Sequence, residues 1–389
     1  MIRKQDILDR AGEWGLRPEV VEKDYVLGWL LAAFAANEAT SRTWAFKGGT
    51  CLKKCFFETY RFSEDLDFSL LPEAAHDDAA LRAVLGDVVK RTAELSGIDL
   101  AVDRIELRSR RDKLGRPTSQ GKLAYRGPLA MPNWPRVLLD ITWHEAIVAP
   151  LDRRSIFHPY PDPLPDGARV LSYSMEELFA EKTRALLERT RPRDLYDVAH
   201  LWERRTEVAL ASVRDAFARK CAAKNIATPT ASALSAAVRG SAELRADWDH
   251  MLGHQLPRLP LLDSLLDRLD EILGWIDAPR PLSPALEPVR LAAGQTRVAL
   301  RGGNYWGGGQ RLEQVRFAGA NRLMIEFMYH GKLRLAEPYS FRRKHTGNLL
   351  LYAWERGGTT IKSFNTAEMG ALRLTDVPFT PRFLVELTG

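Results

Sequence analysis

Phe46-Lys47-Gly48-Gly49-Thr50, followed by Arg61-Phe62-Ser63-Glu64-Asp65-Leu66-Asp67-Phe68-Ser69-Leu70, decides how this chain is read. Trp44-Ala45-Phe46-Lys47 predicts a short strand, Gly48-Gly49 a turn, and Thr50 the N-cap of a helix over 51–59. From Asp65 to Leu70 polar and apolar residues alternate, the period of a second strand. Asp65 and Asp67 stand at positions i and i+2, so they share a face, roughly 6–7 Å apart along the strand. Two carboxylates that close repel each other unless a cation lies between them. Hard divalent cations take oxygen ligands and keep water and phosphate oxygens besides. Glycines at a helix start let backbone N–H groups, and here the Thr50 hydroxyl, approach a phosphate chain. An Asp-x-Asp or a Gly-Gly alone is commonplace; the order strand, glycine turn, helix, acidic strand is what makes the set specific. Asp140 is a third acid, set between Val137-Leu138-Leu139 and Ile141. An acid in so apolar a strand is costly to bury without a partner, which a metal or an arginine would supply.

Around this unit the chain of 389 residues is long enough for two or three domains. Its 45% hydrophobic and 27% charged residues describe a globular protein and exclude disorder. The longest apolar stretch, Tyr25 to Ala36, is twelve residues, short of the roughly 20 that span a bilayer. The N-terminus reads as an amphipathic helix and not a signal peptide. Cys51, Cys55 and Cys221 make no disulfide framework or ligand set, so cytoplasm is the expected compartment. Helices are expected over 4–17, 18–36 and 77–96, with strands near 101–110, 121–127 and 136–143. From Met175 to about Ile276 the periodicity is helical. Three prolines between Ala278 and Pro284 read as a stiff linker, and beyond it Gly302-Gly303, Gly307-Gly308-Gly309 and the run Leu323–Tyr329 suggest a small, mostly β domain. The expected division is an α/β core over 1–175 (a mixed sheet with flanking helices), a helical domain over 176–278, a linker over 279–286 and a basic β domain over 287–389. The segment from Pro281 onward carries 15 Lys/Arg against 8 Asp/Glu, more than the whole chain's net +6.

Gly48-Gly49-Thr50, Asp65-x-Asp67 and Asp140 together resemble the signature of the polymerase-β-like nucleotidyltransferase fold. Three strings resemble, more narrowly, the AbiEii/AbiGii-type nucleotidyltransferase toxins of type IV toxin–antitoxin systems. These are Glu22-Lys23-Asp24-Tyr25; the glycine turn with the acidic strand; and Glu181-Lys182 with Arg189 and Pro192-Arg193-Asp194-Leu195-Tyr196-Asp197. The resemblance spans about 18–205. It implies transfer of a nucleoside monophosphate from an NTP to an acceptor with Mg²⁺, Mn²⁺ being an alternative. In such relatives the acceptor is RNA, notably the 3′ end of tRNA, the result is growth arrest or phage defence, and an AbiEi-type antitoxin is the partner. Asp65 and Asp67 would hold metal, with Asp140 completing a metal site or acting as general base. Gly48, Gly49 and Thr50 would cradle phosphates, and Lys182, near the start of a helix, would neutralise their charge. Arg61, Ser63, Arg193 and Asp197 are candidate nucleotide contacts, and Asp194 a candidate catalytic acid. For Asp194 and Asp197 the alternative is the acid-rich first turn of a helix behind Pro192.

Between Arg104 and Arg126 eight Arg/Lys face only Glu106 and Asp112, a basic hairpin suited to an RNA backbone. The C-terminal region is similar to a WYL-type domain with a small Sm-like barrel, although Leu351-Tyr352-Ala353-Trp354 stands where the Trp-Tyr-Leu triplet would. In it Arg334, Tyr352 and Lys362 are candidate ligand contacts. Two other functions fit the motifs: a protein-modifying nucleotidyltransferase (adenylylation), and a nucleic-acid- or nucleotide-binding regulator that senses without catalysis.

Overall fold

A computed structural model describes residues 1–58, 60–112, 115–277, 286–290, 292, 294–298 and 310–387, with backbone alone at 310–311. The chain forms two compact units: one from Met1–Phe56, Arg61–Ala185 and Val208–Thr228, the other from Phe57–Tyr60, Leu186–Glu207 and Pro229–Gly389. This departs from the expected division. The helical stretch is shared between the units because each of its helices buries its apolar face against whichever sheet or helix completes a core. The linker and the glycine clusters at 302–309 lie mostly or wholly outside the described residues, as does Lys113.

The first unit holds eight strands: β1 (Trp44–Lys47), β2 (Asp65–Leu70), β3 (Asp99–Leu100), β4 (Glu106–Arg111), β5 (Pro117–Arg126), β6 (Arg136–Thr142), β7 (Leu151–Ser155) and β8 (Arg169–Tyr173). Their order is β3-β5-β6-β2-β1-β8-β7, with β4 on β5; β2 and β6, and β1 and β8, run parallel within an otherwise antiparallel sheet. The expected strand over 101–110 is interrupted by a single turn at Val102–Arg104. Strands β7 and β8 were not expected, being five residues each and set among Pro, Asp and Gly.

Alternation divides the sheet into two faces. Leu66, Phe68, Leu123, Val137, Leu139 and Ile141 are buried on one. The helix Pro18–Ala36, apolar nearly all round, covers that face, with Phe34 and Phe68 rings 4.7 Å apart. The helix Asp78–Ser96 packs beside it. The Glu22-Lys23-Asp24-Tyr25 string is structural. Glu22 accepts from Leu129 N (2.6 Å), Lys23 pairs with Glu64 (2.6 Å), and buried Asp24 pairs with buried Lys54 (2.6 Å) while accepting from Tyr160 OH (2.9 Å). Lys54 and Lys53 hold the Asp24 carboxyl below its usual range although burial opposes them.

The second unit contains the helix Pro192–Glu203, the helices from Ala231 to Leu273, and strands β9 (Gln295–Arg297), β10 (Leu323–Tyr329), β11 (Lys332–Lys344), β12 (Leu349–Glu355), β13 (Ile361–Asn365) and β14 (Gly370–Pro378). The strands run β13-β12-β11-β10-β14, with β9 beside the far half of β11, an antiparallel sheet. Among the described residues β13 and β14 do not pair, so the expected barrel does not close. This sheet is fastened to the helices of its own unit: Tyr196 OH donates to Asn321 Oδ1 (2.5 Å), and Arg322 and Arg268 both bind Glu203. The β region is therefore no free module behind a hinge.

Candidate active site

Register places the functional side chains in rows across the other face of the first sheet. Residues opposite each other on neighbouring strands point to the same side. Lys47 pairs with Asp67, Asp67 with Asp140, Asp140 with Gln120, and Gln120 with Arg108. One line across five strands thus reads lysine, two acids, glutamine, arginine. The next row outward holds Asp65, Leu138, Lys122 and Glu106. This face is open at its acidic and basic parts: Leu138 is 43% exposed and the Arg108 side chain 68%.

Asp67 is the electrostatic centre. Burial raises its carboxyl, Asp140 and Asp65 raise it further, and Lys47 and Lys182 only partly offset them, leaving it at about 7. Gly48 has φ +80°, and a Cβ there would lie 2.0 Å from Asp67 Oδ2, so the backbone reaches the carboxylate only because position 48 lacks a side chain. A Cβ on Gly49 would sit 2.6 Å from Arg61 Nη2 and 3.0 Å from Ser63 Oγ. Gly49, Arg61 and Ser63 therefore converge.

Thr50 differs from expectation. The helix begins at Gly48, ahead of Thr50, and after Cys51 widens to a π-turn over Leu52–Phe56. The Thr50 hydroxyl is buried and donates to the Asp65 carbonyl (2.5 Å), so it ties the turn to the start of β2 and is spent on that bond. Asp140 accepts from Gln120 Nε2 (2.7 Å), a neutral partner where a metal or an arginine was anticipated. Lys182 lies in the middle of the helix Met175–Arg189, away from its start, buried and near enough to lower the Asp67 carboxyl.

Motif reading missed the network behind these residues. Lys47 Nζ binds Glu145 and donates to Thr142 Oγ1 (3.2 Å). Burial would deprotonate Lys47, but Glu145, Glu181 and Asp67 outweigh it and hold the ammonium form. Glu181 in turn meets Lys220 (2.8 Å) and Arg184 (3.0 Å), which keep it ionised against burial. Lys47 stood in the quoted string, and its place beside Gly48 was the available signal. Glu145 and Lys220 had none, because only folding brings them there.

Asp194 and Asp197 belong to the second unit. Asp194 is fully buried in the first turn of its helix, and both its oxygens accept from Arg189 (2.6 and 2.8 Å). Asp197 is also fully buried and accepts from Tyr60 OH, while Arg193 is half-buried on the same turn. In the C-terminal sheet the three candidates do not converge. Arg334 and Lys362 both bind Glu355 (2.5 and 2.6 Å), on the face of Ala353 and Glu355. Tyr352 points to the opposite face and donates to Gln295 (2.8 Å), because neighbours in a strand alternate.

Asp65, Asp67, Asp140, Lys47 and the glycine turn thus lie together on one face of a mixed sheet, with Lys182 near Asp67. The family model described as "Nucleotidyl transferase AbiEii toxin, Type IV TA system" matches residues 29–274. The chain belongs to the AbiEii nucleotidyltransferase toxin family, which implies a nucleotide substrate and an antitoxin partner. Among solved structures it is similar to MenT4, a nucleotidyltransferase toxin from Mycobacterium tuberculosis, at 20% identity and a TM-score of 0.47, over 72% of this chain and 91% of that one. No curated protein matches it. No helix among the described residues is long and apolar enough to cross a membrane, and all three cysteines are buried thiols.

Proposed function

We propose that this chain transfers a nucleoside monophosphate from an NTP to RNA, with the 3′ end of tRNA as acceptor, in Mg²⁺-dependent growth arrest or phage defence. The observation that carries this is the row joining Asp67 and Asp140 through Gln120 to Arg108. Arg108, Arg110 and Arg111 are exposed on the β4 arm that leads away from the acids. An acceptor whose end reacts at the carboxylates is thereby met by cations spaced along one strand, which suits a phosphodiester backbone better than a protein hydroxyl.

The residues fit a divalent cation by chemistry: the donors are all oxygens, and Asp67 and Asp140 face each other across paired strands. Burial raises the Asp67 carboxyl most, and Asp140 and Asp65 add a repulsion that a cation would relieve. Among the described residues no three such side chains are already drawn into a cage, so phosphate and water oxygens would have to complete the coordination. Bound there, divalent ions would stabilise the charge on the attacking and departing oxygens. Asp65, Asp67 and Asp140 would hold them. Asp140, whose Oδ1 accepts from Gln120, would alternatively receive the proton of the attacking hydroxyl in place of holding metal. Lys182 would balance phosphate charge, and Gly48 and Gly49 would keep the phosphate approach clear beside Arg61 and Ser63.

Incubation with each labelled NTP, Mg²⁺ and either total RNA or lysate protein tests the reading; label in RNA is expected. Label in the protein fraction alone would replace it with adenylylation. Changing Arg108, Arg110 and Arg111 together to Ala should lower the salt dependence of RNA binding by about 2 in log–log slope, from roughly 0.7 per phosphate on single strands. NTP binding should stay as it is.

A further inference from the structure

Lys47 and Asp67 stand directly opposite each other where β1 pairs with β2. Opposed side chains in an antiparallel pair leave the backbone with Cβ atoms about 4.5–5.5 Å apart, within reach of a lysine stem. An ammonium and a carboxylate so placed attract each other and are expected to pair. Here they do not. Among the described residues Lys47 makes its ion pair with Glu145, and the Asp67 carboxylate keeps none. The charge of Lys47 is nevertheless the strongest that acts on Asp67, so distance is not what separates them.

Glu145 is anchored by more than the lysine. Its Oε2 also accepts from Thr142 Oγ1 (3.3 Å) and Ser69 Oγ (3.4 Å), which lie two positions along their strands from Asp140 and Asp67. The loop that carries it is tied down just beyond. Glu177 accepts from Val148 N (3.1 Å) and Ala149 N (2.7 Å), and Lys220 Nζ donates to the Ala146 carbonyl (3.2 Å). Lys220 also binds Glu177 (2.7 Å), so the helices Met175–Arg189 and Leu210–Ala223 brace one loop through one buried ion pair. The Glu145 carboxylate thus has its place fixed independently of Lys47. Stability does not account for the pair, because a buried ion pair adds little over well-packed apolar residues of similar volume.

We propose that Glu145 is a positioning residue that draws the Lys47 ammonium away from Asp67 and so leaves the Asp67 carboxylate open to an incoming cation. The last part rests on the proposed role of Asp67 as a metal ligand. Glu181, another acid near Lys47, is already held by Lys220 and Arg184, so a lysine released from Glu145 turns to Asp67. A charge-assisted bond formed there would have to break before a metal could bind. Glu145 is therefore needed only while Lys47 is present, a dependence that a residue serving the fold alone would not show.

The test uses the full chain in two measurements. In EDTA at pH 8, Asp67→Asn should raise the melting temperature of the parent but lower that of Glu145→Gln, where it strands the lysine that Asp67 has come to pair. Titration with Mn²⁺ alone, followed by electron paramagnetic resonance, should show Glu145→Gln binding about 10- to 150-fold more weakly than the parent, the worth of one charge-assisted bond. Adding Glu145→Gln to Lys47→Met should cost far less, since no ammonium remains to restrain. If Glu145→Gln alone does not fold, the comparison of Lys47→Met with the double variant still decides: a further loss there as large as the one expected in the parent would show that Glu145 acts on the metal itself. That loss, an Asp67→Asn effect of the same sign in parent and Glu145→Gln, or an unchanged Mn²⁺ affinity in Glu145→Gln where Asp67→Asn has lost it, would each overturn the proposal. Equal Mn²⁺ affinity in parent and Asp67→Asn would instead remove Asp67 as a metal ligand, and the melts would then judge Glu145 by themselves.

Discussion

Asp67→Asn separates the electrostatic cost of the site from its chemistry. In the metal-free protein the Asp67 carboxyl stands at about 7 against an ordinary 3.8, so the folded state keeps its proton over a range where the unfolded chain has lost it. A folded-state rise on an acid costs stability as pH increases: the penalty is absent below about pH 4, grows through the interval, and is complete above pH 7. At about 1.4 kcal/mol per pH unit the rise corresponds to about 4 kcal/mol. Asparagine keeps the shape and cannot ionise, so the variant escapes the penalty. For a unit of this size each kcal/mol moves the melting temperature by about 2–4 °C, which gives roughly 8–16 °C between variant and parent at pH 8. Thermal melts in EDTA at pH 5, 6, 7 and 8 should show the variant's advantage growing with pH, and the same variant should have lost nucleotide transfer. Equal midpoints across the series, or a parent more stable than the variant at pH 8, would refute the reasoning that burial, with Asp140 and Asp65 adding to it, raises Asp67.

Three further outcomes are expected. Lys182→Ala should weaken NTP affinity and transfer together by roughly 10- to 150-fold, the worth of a charge-assisted contact of about 1.5–3 kcal/mol, and unchanged titrations would make it a packing lysine. Asp24→Asn should lower stability by about 3–5 kcal/mol in a denaturant melt because it strands Lys54 in the core, and Asp24→Leu with Lys54→Met should recover much of the loss. Truncation at residue 286 should yield an unstable protein, since it strips Tyr196 and Glu203 of Asn321 and Arg322; a truncated chain with the parent's helix content and melting temperature would show that the β sheet contributes no support.

Much of this protein was legible along the chain because its decisive features are local. Trp44–Lys47, Pro18–Ala36 and Leu323–Tyr329 fall where patterning puts them, since strand and helix periods are set by near neighbours. The acids Asp65 and Asp67 share a face for the same reason, and Gly48 had to be glycine to meet one of them. Strands β7 and β8 escaped notice because five residues among turn formers carry too little periodicity. Thr50 was misjudged because its hydroxyl bonds a carbonyl fifteen residues away, which no cap pattern encodes.

The sequence alone determined the chemistry on offer: three acids, two glycines, the lysines, and a family signature that orders them. Only the tertiary structure decided what each could do with it. Register between β1, β2, β6, β5 and β4 aligned Lys47, Asp67, Asp140, Gln120 and Arg108, residues drawn from five separate segments. Folding also set Glu145 on Lys47 and Arg189 on Asp194. The reason is physical: periodicity and propensity act within a few residues, whereas charge pairing and desolvation depend on distance in space. Whether an acid binds metal, braces a helix or stays protonated is settled by the neighbours that folding supplies.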